Sequence, residues 1–403
     1  MDYDNAMDYL NGMQSRGTML GLDRIKELMR LLENPEKKLR IIHVAGTNGK
    51  GSVVAMICSV LKSAGFRVGQ YTSPHLIWLN ERIAVNGQAI TDKALAIAVI
   101  SAKKAFDKVK PTFFEALTAL ALKYFHEMNC EFVVLETGLG GRLDATNIVD
   151  SIISIITPIS LEHTEYLGPD ISQIAAEKAG IIKKNSSVVA GANGKAQDII
   201  AQVCSQKNAR LVMPDLSKTY VTGLAGHYQQ ENAAIAVAAC MELRHMGFAV
   251  SDKAVSEGLL SAVWPGRFER VGNILYDCAH NTGAVKALVK SLRDLSYGRL
   301  ISVVGILSDK DARSMISMIS PISDELVFTA PDTPRAIAPE TLRKIAGRGI
   351  CRKNVASAIR SAVRAAHETD LILVTGSCYT VGEAKMRLHP ENRISSDFAG
   401  TEW

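Results

Sequence analysis

A glycine-rich stretch near the N-terminus, residues 41–53, constrains the fold of this 403-residue chain more than any other segment. The apolar run at 41–44 predicts a buried strand, and the apolar spacing at 53–61 predicts a helix. Between them, three glycines surround Lys50. This layout is typical of a phosphate cradle, because glycines let backbone amides turn inward and a helix N-terminus carries partial positive charge.

The loop departs from the standard P-loop, in which a glycine and four residues precede Gly-Lys-Ser/Thr. Val44 stands where the first glycine would be, and Gly51 separates Lys50 from Ser52. A tight turn that only joins a strand to a helix would explain the glycines. A lysine and a hydroxyl at the start of a helix favour nucleotide and magnesium binding instead. The ATP ligands predicted in this loop are Asn48, Gly49, Lys50, Gly51 and Ser52.

A second candidate, Glu136, directly follows the short apolar strand at 132–135. The C-terminal end of a parallel strand beside a phosphate loop is where ligands bind in α/β sheets. A carboxylate at that place can supply the oxygen ligand that nucleotide-bound magnesium requires. The alternative is a surface glutamate at the edge of a strand.

Strands and helices alternate along the chain, which indicates an α/β fold. Proline and glycine at 264–269 indicate a linker, and a new strand pattern begins at 273–276. We therefore predict two domains, formed by residues 1–265 and 266–403.

The segment 43–52 resembles the ATP loop of folylpolyglutamate synthases and dihydrofolate synthases, which belong to the Mur-ligase group of ATP-dependent amide-forming enzymes. Six motifs in the order of that family extend the resemblance over about residues 20–386. The resemblance implies a P-loop-type N-terminal ATPase domain with a mostly parallel sheet. It also implies a smaller, Rossmann-like C-terminal α/β domain.

Magnesium ligands and a modified lysine are also implied by this resemblance. Ser73 and His163 match metal-binding positions of the family, and Lys178 matches a lysine that reacts with carbon dioxide to give a carbamate. A Ser-Pro turn, a structural histidine and a solvated lysine are the alternatives. The predicted metal ligands are Ser52, Ser73, Glu136, His163 and Lys178, and the predicted catalytic residues are Lys50, His163 and Lys178.

Further contacts to substrate and nucleotide follow from the same resemblance. For segment 22–24 the alternative is a capped helix, and Glu115 could serve only in a capping box with Thr112. The expected substrate contacts are Leu22, Asp23, Arg24, Phe113, Phe114, Glu115, Leu143, Asp144 and Ala145. The expected nucleotide contacts beyond the loop are Asn232, Arg267 and Asp277.

Composition narrows the choice of partners and compartment. The chain has 46 basic and 41 acidic residues, and no basic stripe is interleaved with aromatic residues, so we expect no nucleic-acid partner. Seven cysteines without a Cys-x-x-Cys pair are typical of reduced thiols in a cytoplasmic protein. The apolar runs have the length of strands, so we expect no membrane span. We expect a monomer that binds small molecules.

Together, these features predict an ATP- and magnesium-dependent ligase. It would add L-glutamate to dihydropteroate and to folates through an acyl phosphate. The resemblance of segment 143–145 to the dihydropteroate-contacting segment favours both activities. The alternatives are a folylpolyglutamate synthase only, a Mur-type ligase with another carboxylate substrate, and a P-loop ATPase that moves a partner.

Overall fold

The computed structural model describes residues 2–388, so the end of the predicted second domain, residues 389–403, lies outside the described residues. Within the described part, the strands form two separate sheets, of eight and six strands. The prediction of an α/β fold with mostly parallel sheets is confirmed.

The first sheet is built by the N-terminal two thirds of the chain. Its strands are β1 (Ile41–Ala45), β2 (Val68–Tyr71), β3 (Ile83–Val85), β4 (Gln88–Ala89), β5 (Phe132–Glu136), β6 (Ser151–Ile156), β7 (Ser187–Ala190) and β8 (Arg210–Val212). Their order across the sheet is β4-β3-β2-β5-β1-β6-β7-β8. The strands from β2 to β8 in this order are parallel, and β3 and β4 form an antiparallel edge.

Helices cover both faces of this sheet, because alternate side chains of its central strands point to opposite sides. Ile41 packs in an apolar cluster with helices from residues 3–12, 23–31, 92–109 and 113–127. Ile42 and Val44 pack in a second cluster with helices from residues 50–63, 228–245 and 252–261. The helices are α1 (Tyr3–Gly12), α2 (Asp23–Leu31), α3 (Lys50–Ser63), α4 (Asp92–Val109), α5 (Phe113–Glu127), α6 (Thr164–Leu167), α7 (Ile171–Ala179), α8 (Gly194–Gln206), α9 (Tyr228–His245) and α10 (Asp252–Ser261).

The second sheet has the order β13-β12-β11-β14-β10-β9 and is parallel except for β9, an antiparallel edge strand. Its strands are β9 (Glu269–Val271), β10 (Ile274–Tyr276), β11 (Leu300–Val304), β12 (Glu325–Phe328), β13 (Ile350–Cys351) and β14 (Leu371–Thr375). The accompanying helices are α11 (Thr282–Leu292), α12 (Ala312–Ile319), α13 (Pro339–Ala346), α14 (Val355–Ala365) and α15 (Cys378–Leu388). Strand β9 escapes prediction because it is short and carries charged residues.

The helix after the phosphate loop begins at Lys50, three residues before the predicted start at Val53. Apolar spacing cannot detect a first helical turn composed of Lys, Gly and Ser. The structure therefore places Lys50 at the N-terminus of α3, where the backbone amides are free to bind an anion. No helix among residues 2–388 is long and apolar enough to cross a membrane.

Candidate active site

A cavity of about 340 Å³ lies at the C-terminal ends of the strands of the first sheet. Residues from the part of the chain that forms the second sheet close it. We call it the nucleotide cavity. Strands β2, β5, β1 and β6 are neighbours, so the segments that follow them meet at this end of the sheet. All predicted ATP, metal and catalytic residues line the cavity: Asn48, Gly49, Lys50, Gly51, Ser52, Ser73, Glu136, His163, Lys178, Asn232, Arg267 and Asp277.

The phosphate loop is held in a left-handed turn that only glycine adopts without strain. Gly49 has φ 88°, and a Cβ there would lie 2.3 Å from the Asn232 side-chain oxygen. The Nζ of Lys50 donates hydrogen bonds to the Gly46 and Thr47 carbonyls, at 3.1 and 3.2 Å. The ammonium group therefore has neutral partners that a phosphate can replace.

Glu136 faces this lysine across the cavity. Its Oε1 lies 4.0 Å from Lys50 Nζ, and its Oε2 accepts a hydrogen bond of 3.1 Å from the Ser73 backbone amide. Burial raises the pKa of the Glu136 carboxyl, although Lys50 and the Ser73 amide oppose the shift. A buried carboxylate with so few partners is suited to a cation.

Lys178, which is buried, and His163, whose side chain is 38% exposed, are cavity groups with lowered pKa values. Burial, assisted by the charge of Lys50, lowers the pKa of Lys178 to about 7. Its Nζ donates to the Gly46 carbonyl at 2.7 Å. Burial likewise lowers the pKa of His163 to about 4, although the neighbouring Glu162 opposes the shift. His163 is therefore neutral near pH 7 and has a lone pair available.

The C-terminal third of the chain contributes Arg267, which is half-buried, and Asp277, which is buried; both line the cavity. Asp277 accepts hydrogen bonds from the Tyr228 hydroxyl at 2.6 Å and from the Phe268 backbone amide at 2.9 Å. Burial raises the pKa of Asp277, while Arg267 opposes the shift. Arg267 Nη1 donates to the Cys278 carbonyl at 3.5 Å. These contacts orient one acidic and one basic group toward the same space.

Sequence reasoning missed several groups of this site, above all an ion cluster that joins the two halves of the chain. Glu162 Oε1 lies 3.2 Å from His280 Nε2 and 3.3 Å from Lys310 Nζ. Tyr228 and Glu231 also line the cavity. Glu162 and His280 follow the ends of β6 and β10, so the rule that selected Glu136 could have selected them as well.

The nine predicted substrate contacts do not line the nucleotide cavity. Four of them, Leu22, Phe113, Phe114 and Ala145, pack in one apolar cluster. Arg24 pairs with Glu115, and Asp144 contacts Leu139 in the loop 137–140, which forms part of the cavity wall. A Cβ on Gly138 of this loop would come within 2.5 Å of the Phe114 ring, and the Gly21 amide contacts the Leu143 carbonyl at 3.5 Å. We call these nine residues, Leu22–Arg24, Phe113–Glu115 and Leu143–Ala145, the substrate cluster.

Two of the three acidic side chains of the substrate cluster, Glu115 and Asp144, have protein partners. Glu115 completes the predicted capping box with Thr112 and lies 3.1 Å from Arg24. Asp144 accepts hydrogen bonds from the Leu139 amide at 2.7 Å, from the Thr146 amide at 3.0 Å and from the Thr146 hydroxyl. Asp144 therefore braces the wall of the nucleotide cavity.

The nucleotide cavity offers few protein ligands for magnesium. Within residues 2–388, no group of three or more His, Cys, Asp or Glu side chains could hold a metal ion. Two hydroxyls, Ser52 and Ser73, and the Glu136 carboxylate are nevertheless near the phosphate loop. Magnesium is commonly bound by one or two carboxylates together with substrate phosphates and water, so these residues fit a metal that arrives with a nucleotide.

Comparison with known proteins gives the class to which this fold and cavity belong. The Mur ligase middle domain matches residues 44–213, and the glutamate ligase domain of Mur ligases matches residues 266–378. The protein is thus a Mur-type ligase.

Curated relatives narrow this class. The dihydrofolate synthase/folylpolyglutamate synthase of Bacillus subtilis is 36% identical, over 96% of this chain and 99% of its own length. The Escherichia coli enzyme of the same name is 35% identical, over 93% of both chains. The chain belongs to the dihydrofolate synthase/folylpolyglutamate synthase family.

Solved structures agree with this assignment. Escherichia coli FolC in complex with DHPP and ADP superposes with a TM-score of 0.91 at 32% identity, covering 98% of this chain and 99% of that chain. The Yersinia pestis bifunctional enzyme complexed with AMPPNP and a Mn ion has a TM-score of 0.89 at 33% identity, covering 96% and 98%. The predicted family, fold class and ATP-dependent ligase activity are confirmed, and ATP and a divalent metal are supported.

Proposed function

We propose that the protein adds L-glutamate both to dihydropteroate and to folates. One observation carries this proposal: a single cavity combines a phosphate loop, a buried carboxylate beside Lys50, a lysine with lowered pKa, and Arg267 and Asp277 from the second half of the chain. Relatives that share almost the whole chain have both activities in their names. The assignment to these substrates rests on that similarity.

The reaction requires two displacements. A carboxylate oxygen of dihydropteroate, or of the γ-carboxyl of a folate, attacks the γ-phosphorus of ATP, and the bond from that phosphorus to the β-γ bridging oxygen breaks. The resulting acyl phosphate and ADP remain bound. The amine of L-glutamate then attacks the acyl carbon, the amine loses a proton, and phosphate leaves as the amide forms.

Repulsion between anions sets the demands on the protein. Triphosphate and carboxylate must approach each other, so the cavity has to offset negative charge where it develops. Lys50 and the amides at the N-terminus of α3 are placed to bind the phosphates. Because Lys50 donates only to loop carbonyls, it can exchange them for phosphate oxygens.

Magnesium would be held by Ser52, Ser73 and Glu136, with His163 and a modified Lys178 as further proposed ligands. When bound, it would neutralise phosphate charge and polarise the γ-phosphoryl group. Arg267 and Asp277 are proposed to contact phosphate and nucleotide, together with Asn232. Since Arg267 belongs to the predicted linker and Asp277 to the second domain, the complete site depends on closure of the second domain over the first.

Lys178 is proposed to carry a carbamate. Its neutral amine attacks the carbon of carbon dioxide, a nitrogen–carbon bond forms, and one amine proton is released to solvent. The lowered pKa of about 7 supports this reaction, since a substantial fraction of the amine is neutral near pH 7. The product replaces a cation by an anion beside the proposed metal ligands.

The substrate cluster is proposed to bind the pterin. Its position behind the loop 137–140 would direct the carboxylate of a bound pterin substrate toward the nucleotide cavity. We also propose the domain limits 1–265 and 266–403, although 389–403 lie outside the described residues. We further propose that the enzyme acts in the cytoplasm as a monomer and without nucleic acid.

The test measures products by mass spectrometry after incubation of the purified enzyme with ATP, magnesium and L-glutamate. Dihydropteroate should give dihydrofolate, and a monoglutamyl folate should give the diglutamate, each with one ADP. If the folate gives product and dihydropteroate does not, the result would favour an enzyme with folylpolyglutamate synthase activity only. ATP hydrolysis independent of both acceptors would contradict ligase function.

A further inference from the structure

Gly51, the residue that interrupts the standard P-loop sequence, lies directly under the side chain of Trp264. A Cβ added at Gly51 would lie 2.7 Å from Trp264 Nε1 and 2.9 Å from Cε2 and Cζ2. Gly51 does not have a positive φ, so its backbone conformation would accept other residues. The reason for glycine here is therefore the close approach of the indole ring.

The path of the chain explains why the indole reaches this point. Helix α10 packs against α3, and Gly258 lies so close that an added Cβ would be 2.4 Å from the Val60 Cα. Contacts of residue 258 with residue 60, and of residue 264 with residue 51, show that the chain runs toward the N-terminus of α3. Trp264 thus covers the first turn of the phosphate-loop helix.

Arg267 follows Trp264 by three residues and enters the nucleotide cavity. The segment between them is fixed to the second half of the chain: the Gly266 carbonyl accepts from the Cys278 amide at 2.8 Å. The Gly266 amide donates to Glu269 at 2.7 Å. Because only Pro265 separates Trp264 from this anchored glycine, a displacement of the indole from Gly51 would strain or move the segment that carries Arg267.

We propose that Trp264 is a positioning residue that couples the phosphate loop to Arg267. Contact between the indole and Gly51 sets the distance between the N-terminus of α3 and the linker, and thereby the place of the Arg267 guanidinium across the cavity. Binding of a triphosphate at the loop changes the surroundings of the indole. Loss of the contact between the indole and Gly51 lets the Arg267 side chain move away from its position in the cavity. The inference rests on the proposed function in taking Arg267 to face the nucleotide.

The first test is a double-mutant cycle on kcat with saturating ATP, dihydropteroate and L-glutamate. Gly51→Ala should lower kcat about 10²-fold, because the added methyl group displaces the linker. Trp264→Leu should lower it about tenfold. The double variant should equal Trp264→Leu alone, about tenfold better than Gly51→Ala, because the smaller side chain leaves room for the methyl group. Leu260→Ala, an exposed apolar residue at the end of α10, is the matched control and should retain wild-type kcat.

If the double variant instead shows the product of the two losses, about 10³-fold, the two residues act independently and the proposal is wrong. A methyl group that clashed only with the nucleotide would give this result. Thermal unfolding of each variant confirms that only folded protein is compared.

The second test needs no catalysis and leaves the loop intact. In a Trp78→Phe/Trp403→Phe background, Trp264 is the only tryptophan of the chain. AMPPNP with magnesium should shift its emission and saturate together with binding measured by calorimetry. Unchanged emission while calorimetry reports binding would overturn the coupling. That outcome would leave the proposed ligase function in place, because ligase activity is measured separately in the wild-type enzyme.

Discussion

Lys178 and Glu136 in the nucleotide cavity have fewer protein partners than Asp144 and Glu115 in the substrate cluster, on the other side of the loop 137–140. In the cavity, Lys178 donates to one carbonyl, and Glu136 has one backbone partner and a lysine 4.0 Å away. In the cluster, Asp144 accepts from two amides and one hydroxyl, and Glu115 completes a helix cap and pairs with Arg24.

Because of this difference, mutations can distinguish residues that bind ligands from residues that hold the fold together. Groups with few protein partners are available to ligands, so their removal should reduce turnover more than stability. Groups that already satisfy backbone donors are part of the scaffold, so their removal should reduce the free energy of unfolding as well.

Lys178→Ala should reduce kcat by about 10³-fold, because the proposed carbamate and its charge are lost. Acetate or another short carboxylic acid should restore part of the activity by filling the gap. The matched control is Lys183→Ala, since burial also lowers the pKa of Lys183, to about 8, but its side chain does not line the nucleotide cavity. Comparable losses in both variants would contradict a specific role for Lys178.

Lys50→Ala should reduce kcat by about 10²- to 10³-fold, the effect of losing one preorganised charge from the site of phosphoryl transfer. Its free energy of unfolding should stay close to that of the wild type, because Lys50 donates only to two loop carbonyls. Steady-state kinetics and urea unfolding provide the two measurements. Near-wild-type turnover in folded protein would refute phosphate binding by Lys50.

Asp144→Ala should lower the free energy of unfolding by about 2–3 kcal/mol, since it leaves buried amides without an acceptor. Dihydropteroate use should decline more than folate extension, because segment 143–145 is proposed to contact dihydropteroate. Urea unfolding and the two ligase assays measure these effects. An equal decline of both activities would show that Asp144 stabilises the loop 137–140 and does not contact the substrate.

The rate of reactivation by carbon dioxide should depend on pH through Lys178. Enzyme freed of carbon dioxide at low pH is mixed with bicarbonate, and the return of activity is followed. Only the neutral amine reacts, so the rate constant should rise about tenfold per pH unit below pH 7 and level off above it, after correction for dissolved carbon dioxide. A pH-independent rate constant would contradict a lysine with a pKa of about 7.

Glu115→Ala should have the smallest effect, a loss of about 1 kcal/mol in the free energy of unfolding, because it removes one half of a capping box. Urea unfolding measures the loss. Glu115→Gln should recover most of it, since glutamine also accepts from the Thr112 amide. A loss of kcat that corresponds to a larger free energy than the loss of stability would show that Glu115 acts in substrate binding rather than only in the scaffold.

The cavity was predictable from the sequence by two routes: strand position indicated Glu136, and the family resemblance supplied Ser73, His163, Lys178, Asn232, Arg267 and Asp277. Glu136 ends β5, whereas Ser73 and His163 follow β2 and β6. The strands β2, β5, β1 and β6 are neighbours in a parallel arrangement. Residues up to 90 positions apart along the chain therefore converge without any knowledge of side-chain packing. The capping box of Thr112 and Glu115 was predictable for a similar reason, since its spacing is local.

Contacts between distant surfaces could not be predicted in this way. The ion cluster of Glu162, His280 and Lys310 depends on how the second half of the chain sits over the first. The packing of Trp264 on Gly51 depends on the close approach of α10 to α3. Neither leaves a periodic signal, because each is one contact between elements about 120 to 210 residues apart in the chain.

The fate of one oxygen atom tests most directly whether ATP activates the carboxylate of the substrate in the nucleotide cavity. Dihydropteroate labelled with ¹⁸O in its carboxylate is incubated with the enzyme, ATP, magnesium and L-glutamate, and the phosphate released is analysed by mass spectrometry. An acyl phosphate formed in the nucleotide cavity predicts one ¹⁸O atom in each phosphate, because the attacking carboxylate oxygen leaves with it. Unlabelled phosphate formed together with dihydrofolate would contradict carboxylate activation by ATP at this site.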